Sequence, residues 1–246
     1  MKIQYIPMSI ATSHPLEELH PSIWRASQLG RATTECIDTG YAPLSNQLVG
    51  NGWPTGTLVE LLLQQPGIGE MRLLGPALAQ VAHRKIVMIQ PPHPPNTIAL
   101  AALGISPSNI LWVTPKSTAD AVWAAEQILR SGSCGALMYW ANQIRPENQR
   151  RLHLAAQHGK TLFWILRPLA AALDASPAPL RLSLRPALGG IEVGFVKRRG
   201  PQRDEPLFLP MAQPYIAEQR RADRAKKRPE IPAVEVLRAP GELTPG

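Results

Sequence analysis

Cysteine is scarce in this chain: Cys36 and Cys134 are the two in 246 residues, and they lie far apart. That is neither a disulfide framework nor a metal-ligand cluster. Cys134 opens an apolar run and is expected to serve as a small buried hydrophobe. Long apolar runs are missing as well. None reaches the roughly 18 residues that a membrane-spanning helix needs, and Met1–Ile10 lacks the apolar stretch and small residues of a secretory signal. The sequence therefore reads as cytoplasmic. Acidic residues are outnumbered, 18 against 26 Lys and Arg, for a formal net charge of +8. The imbalance is local, because Lys197 to Arg228 holds ten Lys/Arg and four Asp/Glu. Concentrated positive charge favours an acidic partner, either nucleic acid or an acidic protein surface. A solvated, solubilising tail is the other reading.

What the chain does have is proline, 26 residues in all, roughly double the usual frequency of about 5%. Frequent chain reversals and an extended tail are expected. At 44% apolar residues the length suits one main core with a small appendage.

From Thr57 a regular alternation sets in. Apolar runs appear at 58–63, 85–90, 110–114, 134–140 and 161–166, starting 27, 25, 24 and 27 residues apart. Near-continuous runs of this length suit strands buried on both faces. Helical periodicity fills the gaps. In 117–131, Ser117 and Asp120 form a capping box, and Gly132 suits a left-handed stop. A second helix starts at Pro146 and ends near Gly159. A third spans 71–83, with Pro76 expected to kink it. The fold class that follows is α/β: a mostly parallel sheet covered by helices on both faces. Beyond Pro168, residues 180–185 and 191–197 alternate around Leu188-Gly189-Gly190 as a C-terminal β-hairpin. Residues 206–209 add a short strand. The expected organisation is an N-terminal helix and linker (1–38), a core (39–210) and a basic, Pro-interrupted tail (211–246) that is disordered.

The informative motif is Thr39-Gly40-Tyr41-Ala42-Pro43-Leu44, followed by Gly50-Asn51-Gly52-Trp53-Pro54-Thr55-Gly56-Thr57-Leu58-Val59-Glu60. Tight turns lead the chain into its first buried strand, and the loop Gln64-Gln65-Pro66-Gly67-Ile68-Gly69-Glu70-Met71 occupies a P-loop's place between strand and helix. In G-x-x-x-x-G-K-[ST] the Lys reaches the β/γ-phosphates and the hydroxyl holds Mg²⁺. Here, with Gly69 as the second glycine, Gln64 takes the first glycine position, Glu70 the Lys position and Met71 the hydroxyl position. Trp140 stands where a strand-end acid would support Mg²⁺. A carboxylate beside a triphosphate costs about 4 kcal/mol at 4 Å and an effective dielectric near 20. At a helix start the same carboxylate is favoured by about 0.3–1 kcal/mol. Glu70 is thus expected to fill the anion position itself, with no cofactor, no metal and no ATP hydrolysis.

The stretch Thr39 to Leu166 resembles the RecA/RadA/KaiC core. Five further segments, His20–Ala26, Pro66–Glu70, Pro91-Pro92-His93-Pro94-Pro95, Asp120–Gly132 and Val196–Gly200, resemble the ImuA family, SOS-associated RecA/SulA-like proteins of bacterial translesion mutagenesis cassettes. The resemblance implies a non-catalytic adaptor in error-prone DNA synthesis. Its implied partners are an inactive Y-family polymerase homologue (ImuB), an error-prone C-family polymerase reached indirectly, and RecA. A SulA-like cell-division inhibitor and a non-standard RecA-like ATPase are the alternatives.

Other candidates rest on residue type. Lys197, Arg198 and Arg199 leave a strand and either contact phosphates or an acidic partner, or form a solvated strand end. Arg220, Arg221, Arg224, Lys226, Lys227 and Arg228 can bind phosphates weakly and in a salt-dependent way, but they lack the interleaved aromatics that stack on single strands. His93 sits in a rigid Pro-rich loop. Trp53, Trp112, Trp123, Trp140 and Trp164 are expected to pack in the core. Trp24, on a helix outside the sheet pattern, is the candidate contact for a homo-oligomer.

Overall fold

A computed structural model describes residues 35–200 and 203–211, together with the backbone of 235–238. Five strands make the parallel centre of the sheet: β3 (Thr57–Leu63), β4 (Lys85–Ile89), β5 (Ile110–Thr114), β6 (Cys134–Trp140) and β7 (Leu162–Pro168). Their spatial order, β3-β7-β6-β4-β5, is continued on the β3 side by β8 (Leu180–Ala187), β9 (Gly190–Lys197) and β10 (Leu207–Pro210). β8 runs parallel to β3, whereas β8–β9 and β9–β10 are antiparallel. The five apolar runs are these five strands, and the alternating pair is the hairpin. Two-residue strands β1 (Cys36–Ile37) and β2 (Trp53–Pro54) pair separately.

Three helices cover the two faces. Val59, Leu61 and Leu63 of β3 join a buried cluster with Leu73, Leu74, Ala77 and Leu78 of α2 (Glu70–Gln80). Leu58 joins the opposite cluster, with Ala121, Val122 and Leu129 of α4 (Thr118–Ser131) and Leu152 and Ala155 of α5 (Pro146–Ala156). The alternation of β3 side chains between two covered faces is why its sequence is apolar apart from Thr57 and Glu60. Trp53 and Trp164 meet edge-to-face in the first cluster, 5.8 Å between ring centres. A short α3 (Thr97–Ala102) follows the Pro-rich loop, capped by Asn96, whose side chain accepts from Ala99 N. The sequence pattern alone left that segment unassigned.

Local chemistry sets the helix ends. The Ser117 hydroxyl accepts from Asp120 N at 3.1 Å and donates to the Asp120 carboxylate at 2.8 Å, and Gly132 closes α4 at φ 58°. Pro76 lies inside α2, and proline has no N–H for the carbonyl four residues back. That carbonyl, on Arg72, instead accepts the Tyr41 hydroxyl at 3.1 Å. Beside it Gly40 has φ 78°, and a Cβ there would fall 2.3 Å from Pro76 Cβ. The Thr39-Gly40-Tyr41 motif is therefore a brace against the proline turn of α2. Tyr41 is preceded by Thr39, whose hydroxyl accepts from Tyr41 N at 3.0 Å. A four-residue turn, α1 (Ala42–Ser45), follows.

Two expectations need correction. Trp123, on α4, is 62% exposed rather than packed in the core; the buried stripe of that helix runs through Ala121, Val122, Ala125 and Leu129, and Trp123 falls outside it. Residues 235–238, expected within the disordered tail, form strand β11, paired parallel to β5. An uncovered sheet edge presents unpaired N–H and C=O groups, which a β-capable Glu-Val-Leu-Arg segment can satisfy.

Candidate functional site: a cradle occupied by its own carboxylate

The loop between β3 and α2 leaves the carboxyl edge of the sheet, where open α/β folds bind ligands. Its course is fixed at both ends. Gln64 N donates to Leu184 O at 3.1 Å, holding the loop to β8, and Gly69 O accepts from Arg72 N and Leu73 N at the start of α2. Gly67 (φ 82°) and Gly69 (φ 121°) adopt positive φ angles that other residues rarely take. These turns aim two peptide N–H groups at one point. The group found there is Glu70: Gly67 N donates to Glu70 Oε1 at 2.8 Å and Gly69 N to Oε2 at 3.1 Å. Both carboxylate oxygens are engaged, and the side chain is 3% exposed.

Such a pair of amides at a helix start is the standard phosphate cradle. Here the negative charge is covalently attached, at the first residue of the helix it caps, where the helix dipole also favours it. Charge-assisted hydrogen bonds of this kind contribute about 1.5–3 kcal/mol each.

The neighbouring positions are apolar. Met71, at the hydroxyl position, and Trp140, at the strand-end acid position, are partly buried and pack against the first core cluster with Ile68. Trp140 Nε1 is buried without a hydrogen-bond partner among the described residues. The cradle thus offers a triphosphate no Lys, no hydroxyl and no carboxylate at the positions that ordinarily supply them. Among the described residues, no group of three or more His, Cys, Asp or Glu could hold a metal ion.

One arrangement of charged groups lies deeper. Glu60, the last residue of the Gly50–Glu60 motif, is fully buried in the middle of β3. It accepts from Gln149 Nε2 at 3.0 Å, from Arg167 Nη1 at 2.9 Å and from Arg181 Nε. Arg181 also donates to Ala171 O at 2.8 Å, and Arg167 to Asp174 at 2.7 Å. Three adjacent strands, α5 and the turn after β7 are tied together through one carboxylate. Removing it would strand two buried guanidinium groups, a loss of about 3–5 kcal/mol for a broken buried pair. The motif's spacing marks Glu60, but its partners come from 89 to 121 positions away, and no local pattern names them.

Over 109 residues, the chain is similar to SulA. The relative is the cell division inhibitor SulA of Edwardsiella piscicida, 28% identical over a match that covers 44% of this chain and 65% of that protein. The chain thus spans less than two thirds of the curated relative. No protein-family profile matches it.

The SulA likeness assigns no residue to a site, and the basic candidates must be placed by their own contacts. Lys197 Nζ donates to Ser176 O at 3.1 Å. Arg198 donates to Gln47 O at 2.9 Å and to Gln47 Oε1 at 3.0 Å, with its guanidinium 4.9 Å from the centre of the Phe195 ring. Arg199 is exposed. None of the three lies in the cradle's hydrogen-bond network. His93 is exposed in the Pro-rich loop after β4. Trp24 and Arg220, Arg221, Arg224, Lys226, Lys227 and Arg228 lie outside the described residues. No helix among the described residues is long and apolar enough to cross a membrane.

Proposed function

We propose that this chain is a non-catalytic adaptor of the ImuA kind, acting in SOS-induced translesion synthesis by binding an inactive Y-family polymerase homologue. Through that homologue it reaches an error-prone C-family polymerase, and it contacts RecA. The observation that carries the non-catalytic part is the Glu70 carboxylate seated on Gly67 N and Gly69 N. A nucleotide would have to expel it and then find no partner for magnesium. Likeness to SulA supports the SOS setting, and the ImuA-like segments support the adaptor role. Weak, sequence-independent binding of the basic stretch Arg220–Arg228 to DNA belongs to the same reading.

Calorimetric titration with Mg-ATP tests the first part: no binding heat at micromolar concentrations is expected, and clear micromolar binding would overturn it. Co-expression with the Y-family homologue tests the second, with a stoichiometric complex as the expected result.

A second reading has one observation in its favour, the SulA match itself. If the chain is a division inhibitor, its overexpression makes filamentous cells without DNA damage. An adaptor leaves cell length unchanged under the same conditions.

A further inference from the structure

Trp53 and Trp164 are buried and Trp112 and Trp140 half-buried, whereas Trp123 stands out of α4 at 62% exposed. Leu154, on α5, is 55% exposed. A lone exposed apolar residue is ordinary, so these two matter only through where they stand. α4 and α5 cover the same face of the sheet. Each leads from the end of one parallel strand back to the start of another, so the two helices run in the same direction. Arg151 Nε meets Glu126 Oε2 at 2.9 Å, which sets those two residues level. Trp123 comes three residues before Glu126 and Leu154 three after Arg151, so each shares a helix face with one member of the bridge. The two apolar side chains are therefore about 9 Å apart along the axes and about 8–10 Å apart across them.

Charge between them is unbalanced. Glu126, nearly buried, accepts from Arg130 Nη2 at 2.8 Å as well as from Arg151, and the two arginine side chains remain 58% and 47% exposed. Arg151 keeps both Nη groups, and Arg130 its Nε and Nη1, for a further acceptor. Arg150 is exposed beside them. The other acids of these helices, Asp120 and Glu147, sit in the first turns, and Asp120 already accepts the Ser117 hydroxyl. One carboxylate thus serves two guanidinium groups and holds them in place. A second carboxylate, brought from outside, would complete charge-assisted pairs in a geometry already set.

We propose that the α4–α5 surface is a docking site for an acidic amphipathic helix of a protein partner, which lays two apolar side chains on Trp123 and Leu154 and a carboxylate on Arg130 and Arg151. A docking helix presents its anchors up to two turns apart, and two turns rise about 11 Å, close to the spacing of Trp123 and Leu154. Tryptophan and arginine are the residue types that most often carry binding energy at protein interfaces. A nucleic acid could use the indole and the arginines, but it has no use for Leu154 and would meet the Glu126 carboxylate. The surface lies on the opposite face of the sheet from α2, so the contact requires neither the cradle nor the polymerase homologue proposed above.

The test uses the full chain with Trp123→Ala, Leu154→Ala and, as a control at the fully exposed hairpin tip, Leu188→Ala. The probes are a labelled synthetic helical peptide with two Leu about seven residues apart and Glu between them on the same face, the same peptide with Lys for Glu, and labelled oligothymidylate. NMR follows the Trp123 indole N–H signal, identified by its loss in Trp123→Phe, and fluorescence anisotropy gives the affinities. The acidic peptide should move that signal saturably. Trp123→Ala should weaken its binding at least about tenfold, Leu154→Ala by a smaller factor, and Leu188→Ala not at all. The Lys peptide should bind at least about tenfold more weakly than the Glu peptide. An acidic peptide that leaves the indole signal unmoved, or that binds Trp123→Ala and Leu154→Ala as it binds the native chain, would overturn the site. Equal binding of the two peptides would overturn the acidic partner. A larger response to oligothymidylate would make nucleic acid the occupant, and an indole signal that moves on diluting the chain alone would make it a second copy; either result overturns the proposal.

Discussion

At the scale of single residues, the decisive group is Glu70. Its two oxygens accept from Gly67 N and Gly69 N, so the loop's conformation and the helix start depend on one side chain. Glu70→Ala should lower unfolding free energy by about 1–3 kcal/mol, since two amides lose an ionised acceptor at a nearly buried site. Glu70→Gln keeps one acceptor oxygen and should lose less. Urea denaturation of the three proteins checks the order, and an alanine variant as stable as the native chain would show that the contact is idle. His153 offers a pH signal of the opposite kind. Its Nδ1 accepts from Leu58 N at 3.3 Å, and burial first, then the Lys197 charge, pushes its pKa below the ordinary value of 6.5. The folded state thus favours neutral imidazole. Its contribution is complete above about pH 6.5 and is lost as pH falls through the lower folded value. Thermal melts between pH 7.5 and 5 should therefore show a falling midpoint that flattens in His153→Gln, which cannot take up a proton.

At the scale of elements, α2 shows how a motif can look functional and be structural. A proline in mid-helix ordinarily costs about 3 kcal/mol or more. Here Pro76 lies inside a helix that spans Glu70 to Gln80, and the Arg72 carbonyl that it leaves without an amide accepts the Tyr41 hydroxyl. Tyr41→Phe should then cost about 1 kcal/mol, the net value of a typical hydrogen bond. In a Pro76→Ala background the residue 76 amide can take the same carbonyl, and the Tyr41→Phe cost should shrink towards zero. A double-mutant cycle by urea denaturation measures this coupling, and strictly additive losses would disprove the exchange of donors. The strands were legible because period and length suffice for segments buried on both faces. The capping box of α4 was legible because its chemistry is local. The Tyr41–Arg72 bond was not, because 31 positions separate its partners. Neither was the Glu60 network, for the same reason. The loop could be read because its residues are contiguous, so Glu70 and Met71 are visible as substitutions at the Lys and hydroxyl positions. Residue type alone does not place Trp123: an aromatic side chain in a helix is buried only where it falls on the buried stripe, and Trp123 lies beside the one through Ala121, Val122, Ala125 and Leu129.

At the scale of the whole molecule, charge and sheet are arranged asymmetrically. The parallel centre and the hairpin carry the packing, while most of the positive excess lies at and beyond the end of β9, from Lys197 to Arg228. Lys197 and Arg198 already make hydrogen bonds within the fold, which leaves Arg220, Arg221, Arg224, Lys226, Lys227 and Arg228 as the main candidates for phosphate contacts. Binding of this type releases counterions, and its affinity falls with salt in proportion to the phosphates neutralised. If all six contact single-stranded DNA, the logarithm of the binding constant should fall with the logarithm of salt at a slope of about −4. Fluorescence anisotropy of a labelled oligonucleotide between 50 and 200 mM salt, about a fourfold range, would then record a drop of a few hundredfold. Replacing the six with Gln should flatten the slope while leaving the thermal midpoint of the core unchanged. No binding by the native chain at the lowest salt would rule out nucleic acid as the partner of these charges and leave an acidic protein surface in its place.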